Sequence, residues 1–145
     1  MPTDAPFRPR FARRVAWGLL VLVGLGVGAL MVASYTTLTE FTWLDRALTI
    51  LFAGGGSVII VRQALVTAIP TERGLRIRNL FVTTELEWAE VVRVNFSRGR
   101  PWATLDLSDG DTIAVMAIQS ADGEYGLAEA RRLAALVARA EPPDT

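Results

Sequence analysis

The sequence predicts an α+β protein in two parts. A helical hairpin, apolar enough to cross a bilayer twice, precedes a small antiparallel β-barrel or curled sheet closed by a C-terminal helix. Three observations predict this. Two uncharged apolar runs fill the first half of the chain. From about Leu65 the pattern shortens to alternating β-forming segments between turn signals. After about Asp122 it lengthens to the period of an amphipathic helix. On this reading residues 1–14 are a flexible basic tail. Residues 15–66 hold two transmembrane helices (about 15–35 and 44–66), 67–140 form the β-rich domain, and 141–145 are a disordered tail.

Composition narrows the chemistry. The 145 residues include no cysteine and no histidine, and every basic residue is arginine. Disulfides, thiol nucleophiles, Cys/His zinc sites and lysine-based phosphate loops or Schiff bases are therefore excluded. Formal net charge is zero, so no global field draws in nucleic acid, which is not expected as a partner. No cofactor and no metal is expected.

The first apolar run, Val15 to Tyr35, carries no charge. At about 1.5 Å per residue it reaches roughly the 30 Å of a bilayer's hydrocarbon core. Arg13 and Arg14 before it would also suit a signal peptide, but the run is too long for one and a second follows at once. That second run, Ala47 to Val61, is short. To span, it must extend toward Trp43 and Val66, with Asp45, Arg46 and Arg62 near its ends, where arginine reaches back to the headgroups. A re-entrant or buried helix is the alternative. Gly24 with Gly28 and Ala53 with Ser57 are small-xxx-small pairs, candidates for close helix packing. Arg8, Arg10, Arg13 and Arg14 precede the first span, and Arg62, Arg73, Arg76 and Arg78 flank or follow the second. The link between the spans has only Arg46, beside Glu40 and Asp45. The positive-inside rule then gives a multi-pass plasma-membrane protein with both termini cytoplasmic.

In the second half, Leu75 and Ile77 alternate with Arg76 and Arg78, and Leu86 and Trp88 with Glu85 and Glu87. Val92, Val94 and Phe96 are expected inward, opposite Arg93 and Asn95. Ala103, Leu105 and Leu107 point inward on the next strand, leaving Trp102, Thr104 and Asp106 outward. Ser97–Pro101 and Ser108–Asp111 read as turns, the second on its Asp-Gly pair. In the final helix Leu127, Ala130, Leu133, Leu136 and Val137 make the apolar stripe. Glu129, Arg131, Arg132 and Arg139 lie off it, and Asp122 is the expected N-cap. A sheet this small must curl and bury one face, and the helix can close its open side.

Three stretches, "GLRIRNLF", "ELEWAEVVRVNFSRGRPWATLDLSDGD" and "AIQSADGEYGLAEARRLAALV", resemble the small bacterial pleckstrin-homology (PH) domain membrane proteins of the low molecular weight protein antigen 6 group. The resemblance runs from Leu65 to Val137, and those proteins carry two membrane helices ahead of the domain. It implies a PH-like fold and a membrane location, and no ligand or activity.

The candidate binding residues follow from this layout. Arg98 and Arg100 bracket Gly99 in the turn, with Arg93 on the outer face of the strand before it and Trp102 opening the strand after it. An outward tryptophan beside arginines suits a lipid surface or a protein partner, or simply covers the barrel mouth. Arg76 and Arg78 are a second basic set, weaker for inositol phosphates because Glu72 adjoins Arg73. From Thr67 on, nine arginines face twelve acidic residues, which argues against a strong polybasic clamp. Asp106, Asp109 and Asp111 lack the spacing of a calcium loop. Glu85, Glu87 and Glu90 read as a solvated face rather than an acid–base pair. The expectation is a non-catalytic membrane protein. Its domain interacts with a protein or scaffolds an assembly, with a homo-oligomer as one form, or else senses anionic lipid through those arginines.

Overall fold

The structure, a computed structural model, describes residues 5–37, 40–97 and 99–140. Two long helices come first: α1 (Phe11–Thr36) and α2 (Trp43–Ala64), each long and apolar enough to cross a membrane. They pack as an antiparallel pair. The shielded positions on α1 include Ala16, Leu20, Val23, Val27, Leu30 and Ser34, spaced alternately by four and three. Their counterparts on α2 are Arg46, Thr49, Ala53, Ser57, Ile60 and Ala64. That spacing is a knobs-into-holes seam. Ala53 and Ser57 lie on it. Gly24 and Gly28 do not: both are exposed, and a Cβ added at either meets open space.

The turn between the helices is pinned at both ends. Thr42 and Asp45 form a capping box, with the Asp45 carboxylate accepting from the Thr42 N–H at 2.8 Å. Arg46 donates to the Ser34 hydroxyl at 3.1 Å and the Ser34 carbonyl at 2.9 Å, with its guanidinium 4.3 Å from the Tyr35 ring centre.

Six strands and a helix follow. β1 (Thr67–Pro70), β2 (Gly74–Arg78) and β3 (Thr83–Glu87) form one antiparallel sheet. β4 (Val91–Asn95), β5 (Trp102–Leu107) and β6 (Thr112–Gln119) form another, and α3 (Glu124–Ala140) comes last. β6 lies beside β1 and β2, so the two sheets share one core. Asn79 joins them where the ladder stops: its side-chain amide donates to the Ala114 carbonyl at 2.7 Å and accepts from the Met116 N–H at 3.1 Å. α3 packs on β4 and β6. Leu75, Ile77, Leu105, Val115, Ile118 and Leu133 are almost wholly buried; Leu75, Ile77 and Leu105 are at inward positions that alternation assigns, and Leu133 is on the helical stripe.

Several expectations need correction. β4 is bulged between Val91 and Arg93. The extra residue shifts the alternation, so Val91 is buried while Val92 is 65% exposed. Val94 and Phe96 do pack on the core. The Ser108–Asp111 turn, by contrast, forms where its Asp-Gly pair puts it, with Gly110 at φ +93 and its N–H bonded to the Leu107 carbonyl at 3.0 Å. The Asp122 carboxylate does not serve α3. It accepts from the backbone N–H groups of Arg10 at 3.1 Å and Phe11 at 2.6 Å, and so caps α1. Glu129 is buried rather than solvated, paired with Arg132 at 2.7 Å.

The largest correction concerns residues 1–14. The part of that segment described ahead of α1 is docked on the domain. Phe7 is fully buried in the domain core and makes a two-bond antiparallel bridge with Ala68 at 2.8 and 3.2 Å. Arg132 donates to the Ala5 carbonyl at 2.8 Å and lies 3.8 Å from the centre of the Phe7 ring. One buried aromatic side chain and an edge bridge explain why a Pro-rich, charged segment holds a fixed path.

Candidate functional site

Strand direction decides which turns lie near the helical hairpin. β1 leaves α2 after Leu65 and Val66, so Thr67 is at the hairpin end of the domain and Pro70 at the far end. Arg78 pairs with Thr67 on one side and Thr83 on the other. The β2–β3 turn, residues 79–82, is therefore at the hairpin end too, with Phe81 and Val82 both largely exposed on it.

The same reasoning applies to the second sheet. β6 ends at Gln119, and the following 3-10 turn, Ser120–Asp122, caps α1 through Asp122. Trp102 pairs with Gln119, and the Pro101 carbonyl accepts from the Ser120 N–H at 3.0 Å. The β4–β5 turn is thus at the hairpin end as well.

The opposite end joins three other turns. Trp88 donates its backbone N–H to the Arg73 carbonyl and its indole N–H to the Thr71 carbonyl, each at 3.1 Å. Ser108 donates to the Glu90 carbonyl at 2.9 Å. Glu72, Glu87, Glu90, Asp109 and Asp111 lie on or beside the turns at that end, as does Arg73. At the hairpin end are Arg8, Arg10, Arg13, Arg14, Arg62, Arg78 and Arg100 against Asp122 and Glu124. The basic surplus at the hairpin end comes from the N-terminal segment and the helix ends; the domain's own turns there carry Arg78 and Arg100 against Asp122 and Glu124.

The candidate residues fall out as follows. Arg98 lies outside the described residues. Arg100 is exposed, with Nη1 donating to the Thr104 hydroxyl at 3.1 Å. Trp102 is half-buried rather than fully outward. Arg93 is exposed on β4, facing Asp106 in register. Asp106 accepts from the Asn95 amide at 2.7 Å, and Asp109 from the Asp111 N–H at 3.0 Å, which are strand and turn duties. Arg76 pairs with Glu85 at 3.3 Å with both side chains mostly in solvent, an ion pair of small energetic weight. Glu90 accepts from the Glu87 N–H at 2.7 Å. Arg76 and Arg78 are on one sheet, and Arg93, Arg100 and Trp102 belong to the other. The structure does not merge them into one pocket. Arg78, Arg100 and Trp102 lie toward the hairpin end, whereas Arg76 is in the middle of β2 and Arg93, paired with Asp106, lies toward the opposite end.

One feature escaped the sequence reading. Arg8, Arg10, Arg13 and Arg14 line a single cleft of about 490 Å³ with Pro6, Pro9, Trp17 and Tyr125. Arginine count alone presents them as a topology signal. The i, i+3, i+4, i+7 spacing of Arg10, Arg13, Arg14 and Trp17 carried the hint of a shared helix face.

Residues 69–136, most of the β-rich half, match the family model described as "Bacterial PH domain", which supports a bacterial PH-domain-like protein. Over 145 aligned residues the chain is 29% identical to uncharacterized protein Rv1417 of Mycobacterium tuberculosis and to uncharacterized protein Mb1452 of Mycobacterium bovis. In each case 96% of this chain and 92% of the relative are covered. No solved structure matches the chain significantly.

Proposed function

We propose that this chain, whose residues 69–136 match the bacterial PH domain family, is a non-catalytic plasma-membrane protein. In this reading both α1 and α2 span the bilayer, both termini are cytoplasmic, and the hairpin end of the domain rests on the anionic inner leaflet. The observation that carries it is the position of Arg78 and Arg100 on turns at the end where the chain joins the two apolar helices. Guanidiniums held there meet lipid phosphates without any movement of the domain, and each contributes about 1 kcal/mol of attraction to an anionic surface. Exposed Phe81 and Val82 on the neighbouring turn suit the interfacial layer.

Because the chain has no cysteine, single cysteines report position cleanly. The test places an environment-sensitive dye at Gly99→Cys or at Asp109→Cys in the full-length protein in nanodiscs. With anionic lipid the dye at 99 should shift to an apolar signal that salt reverses, while the dye at 109 stays aqueous. Equal aqueous signals at both sites would sink the reading. Topology is checked separately: Glu40→Cys should react with an impermeant reagent on intact cells, and Asp109→Cys only after permeabilisation.

A protein-interaction or scaffolding role is the second reading. The favouring observation is exposed Val92 on bulged β4, beside the acidic end that points away from the helices. A photo-crosslinker at Val92 should then give one discrete adduct in membranes, and a crosslinker at Trp102 none.

A further inference from the structure

We infer that the cleft between the N-terminal segment, the start of α1 and Tyr125 of α3 is a binding site for a phosphate group, supplied by the headgroup of an anionic lipid. The inference deepens the reading above, and rests on it, by naming one built site at the hairpin end.

The walls come from three separate stretches: Pro6–Arg10, the first two turns of α1, and Tyr125. The N-terminal segment and the start of α1 are held by contacts that do not involve the arginine head groups facing the cleft. Phe7 is locked in the core and Ala5 is tied to Arg132. The backbone N–H groups of Arg10 and Phe11 are fixed by Asp122, so that carboxylate is engaged with the helix terminus, and it is not among the residues lining the cleft. The Arg10 guanidinium lies 3.7 Å from the centre of the Tyr125 ring, a stacking that orients it while leaving its edge donors available.

Arg13 and Arg14 are one turn further on, on the same helix face. Arg8 comes from the extended segment. Among the described residues none of these four guanidiniums has a carboxylate within ion-pair distance. Four arginines line a space of about 490 Å³, room for a phosphate together with the start of the group it is attached to, and guanidinium forks bind a tetrahedral oxyanion bidentately. Trp17 is the next residue along this face. It is half-exposed and sits where the helix turns wholly apolar, the depth at which an indole marks the bilayer interface. A phosphate held here therefore has acyl chains running alongside α1, which selects a lipid over a free anion.

The test uses the full-length protein purified in detergent and then titrated with phosphatidylglycerol or phosphatidylcholine, with bound lipid counted by native mass spectrometry. A parallel arm adds inorganic phosphate and glycerol phosphate. The wild type should retain one phosphatidylglycerol in preference to phosphatidylcholine, and the soluble phosphates should bind far more weakly. Arg13→Gln/Arg14→Gln should weaken retention on the order of tenfold or more, since two charge-assisted contacts to the phosphate are lost. Arg131→Gln/Arg139→Gln, which removes the same charge from the exposed side of α3, should change nothing. Arg13→Lys/Arg14→Lys preserves the topological charge and should give an intermediate, several-fold loss, because lysine lacks the fork.

Equal retention by wild type and the Arg13→Gln/Arg14→Gln variant overturns the site. Inorganic phosphate binding as tightly as the lipid overturns the lipid source. The dye at position 99 separates the two ideas. If it stays aqueous while lipid retention depends on Arg13 and Arg14, the surface orientation fails and this site stands. If it shifts while retention ignores those arginines, the orientation stands and this site fails.

Discussion

Phe7 lies far from the domain in sequence and has no exposed surface in the structure. Its truncation leaves a void that the β-sheets cannot collapse to fill. Phe7→Ala should destabilise the domain by about 3–5 kcal/mol, read as a lowered denaturant midpoint of the full-length protein in detergent. The Glu129–Arg132 pair makes a second residue-scale case. With side chains only 6% and 14% exposed, loss of one partner strands the other charge. Glu129→Ala should therefore cost about 3 kcal/mol or more, while replacing both residues by apolar ones of similar size should cost much less. Gly74 is glycine for a simpler reason: a Cβ there would collide with the Leu86 carbonyl oxygen across the β2–β3 pair. The inward residues Leu75, Ile77, Leu105 and Leu133 were legible from alternation and helical period. Phe7 was not, because one phenylalanine among prolines and arginines has no period to belong to.

At the scale of elements, the helix pair shows how motif and pattern compete. Gly24 and Gly28 satisfy a small-xxx-small motif but face outward, while the four-three spacing of Ala16, Leu20, Val23, Val27, Leu30 and Ser34 makes the seam. A motif names residues that permit close approach; the side chains around it decide which face is used. Ala53→Leu should therefore overpack the seam and cost about 1–3 kcal/mol. Gly28→Leu should be tolerated. Thermal unfolding of the two variants in the same detergent separates them, and equal destabilisation would place the glycines back in the interface. β4 shows the same limit of pattern. Val92, Val94 and Phe96 alternate without interruption in the sequence, yet a single bulge after Val91 turns Val92 to solvent. Nothing in the local residue types marks that bulge, since it comes from fitting β4 to β5 with the 3-10 turn Trp88–Glu90 at its start.

At the scale of the whole molecule, the segment before α1 couples the two halves. Residues 5–10 touch β1 and α3 and then continue without a break into α1, and Asp122 caps that helix from the domain side. Helices and domain are thus joined by more than the covalent link after α2: the Phe7–Ala68 bridge, the Arg132–Ala5 bond, the Arg10–Tyr125 stack and the Asp122 cap also connect them. Deleting residues 1–8 should remove the bridge and bare the core beneath Phe7. Protease cleavage around Leu65–Thr67 should then accelerate by an order of magnitude or more, as an opening that costs little free energy replaces a coupled one. Asp122→Asn keeps some capping and should accelerate it less. Cleavage at the wild-type rate in the deletion would show that the covalent link alone orients the domain.

The sequence by itself determined the class of the three long helices and the six strands, though not the two short 3-10 turns. Two apolar runs, six short alternating strands and one amphipathic helix are each local patterns with a fixed period, and each element follows its own residues. It also determined the turns at Ser97–Pro101 and Ser108–Asp111, where Gly, Pro and Asp act on the adjacent backbone. Tertiary structure alone decided three things. It seated Phe7 in a core built from residues beyond position 60. It moved Asp122 from its own helix to the start of α1. It also brought Arg78 and Arg100, from separate sheets, to the end that joins the helices. Each of these depends on contacts between residues far apart in the chain, and no short-range period encodes which distant surface a side chain will meet.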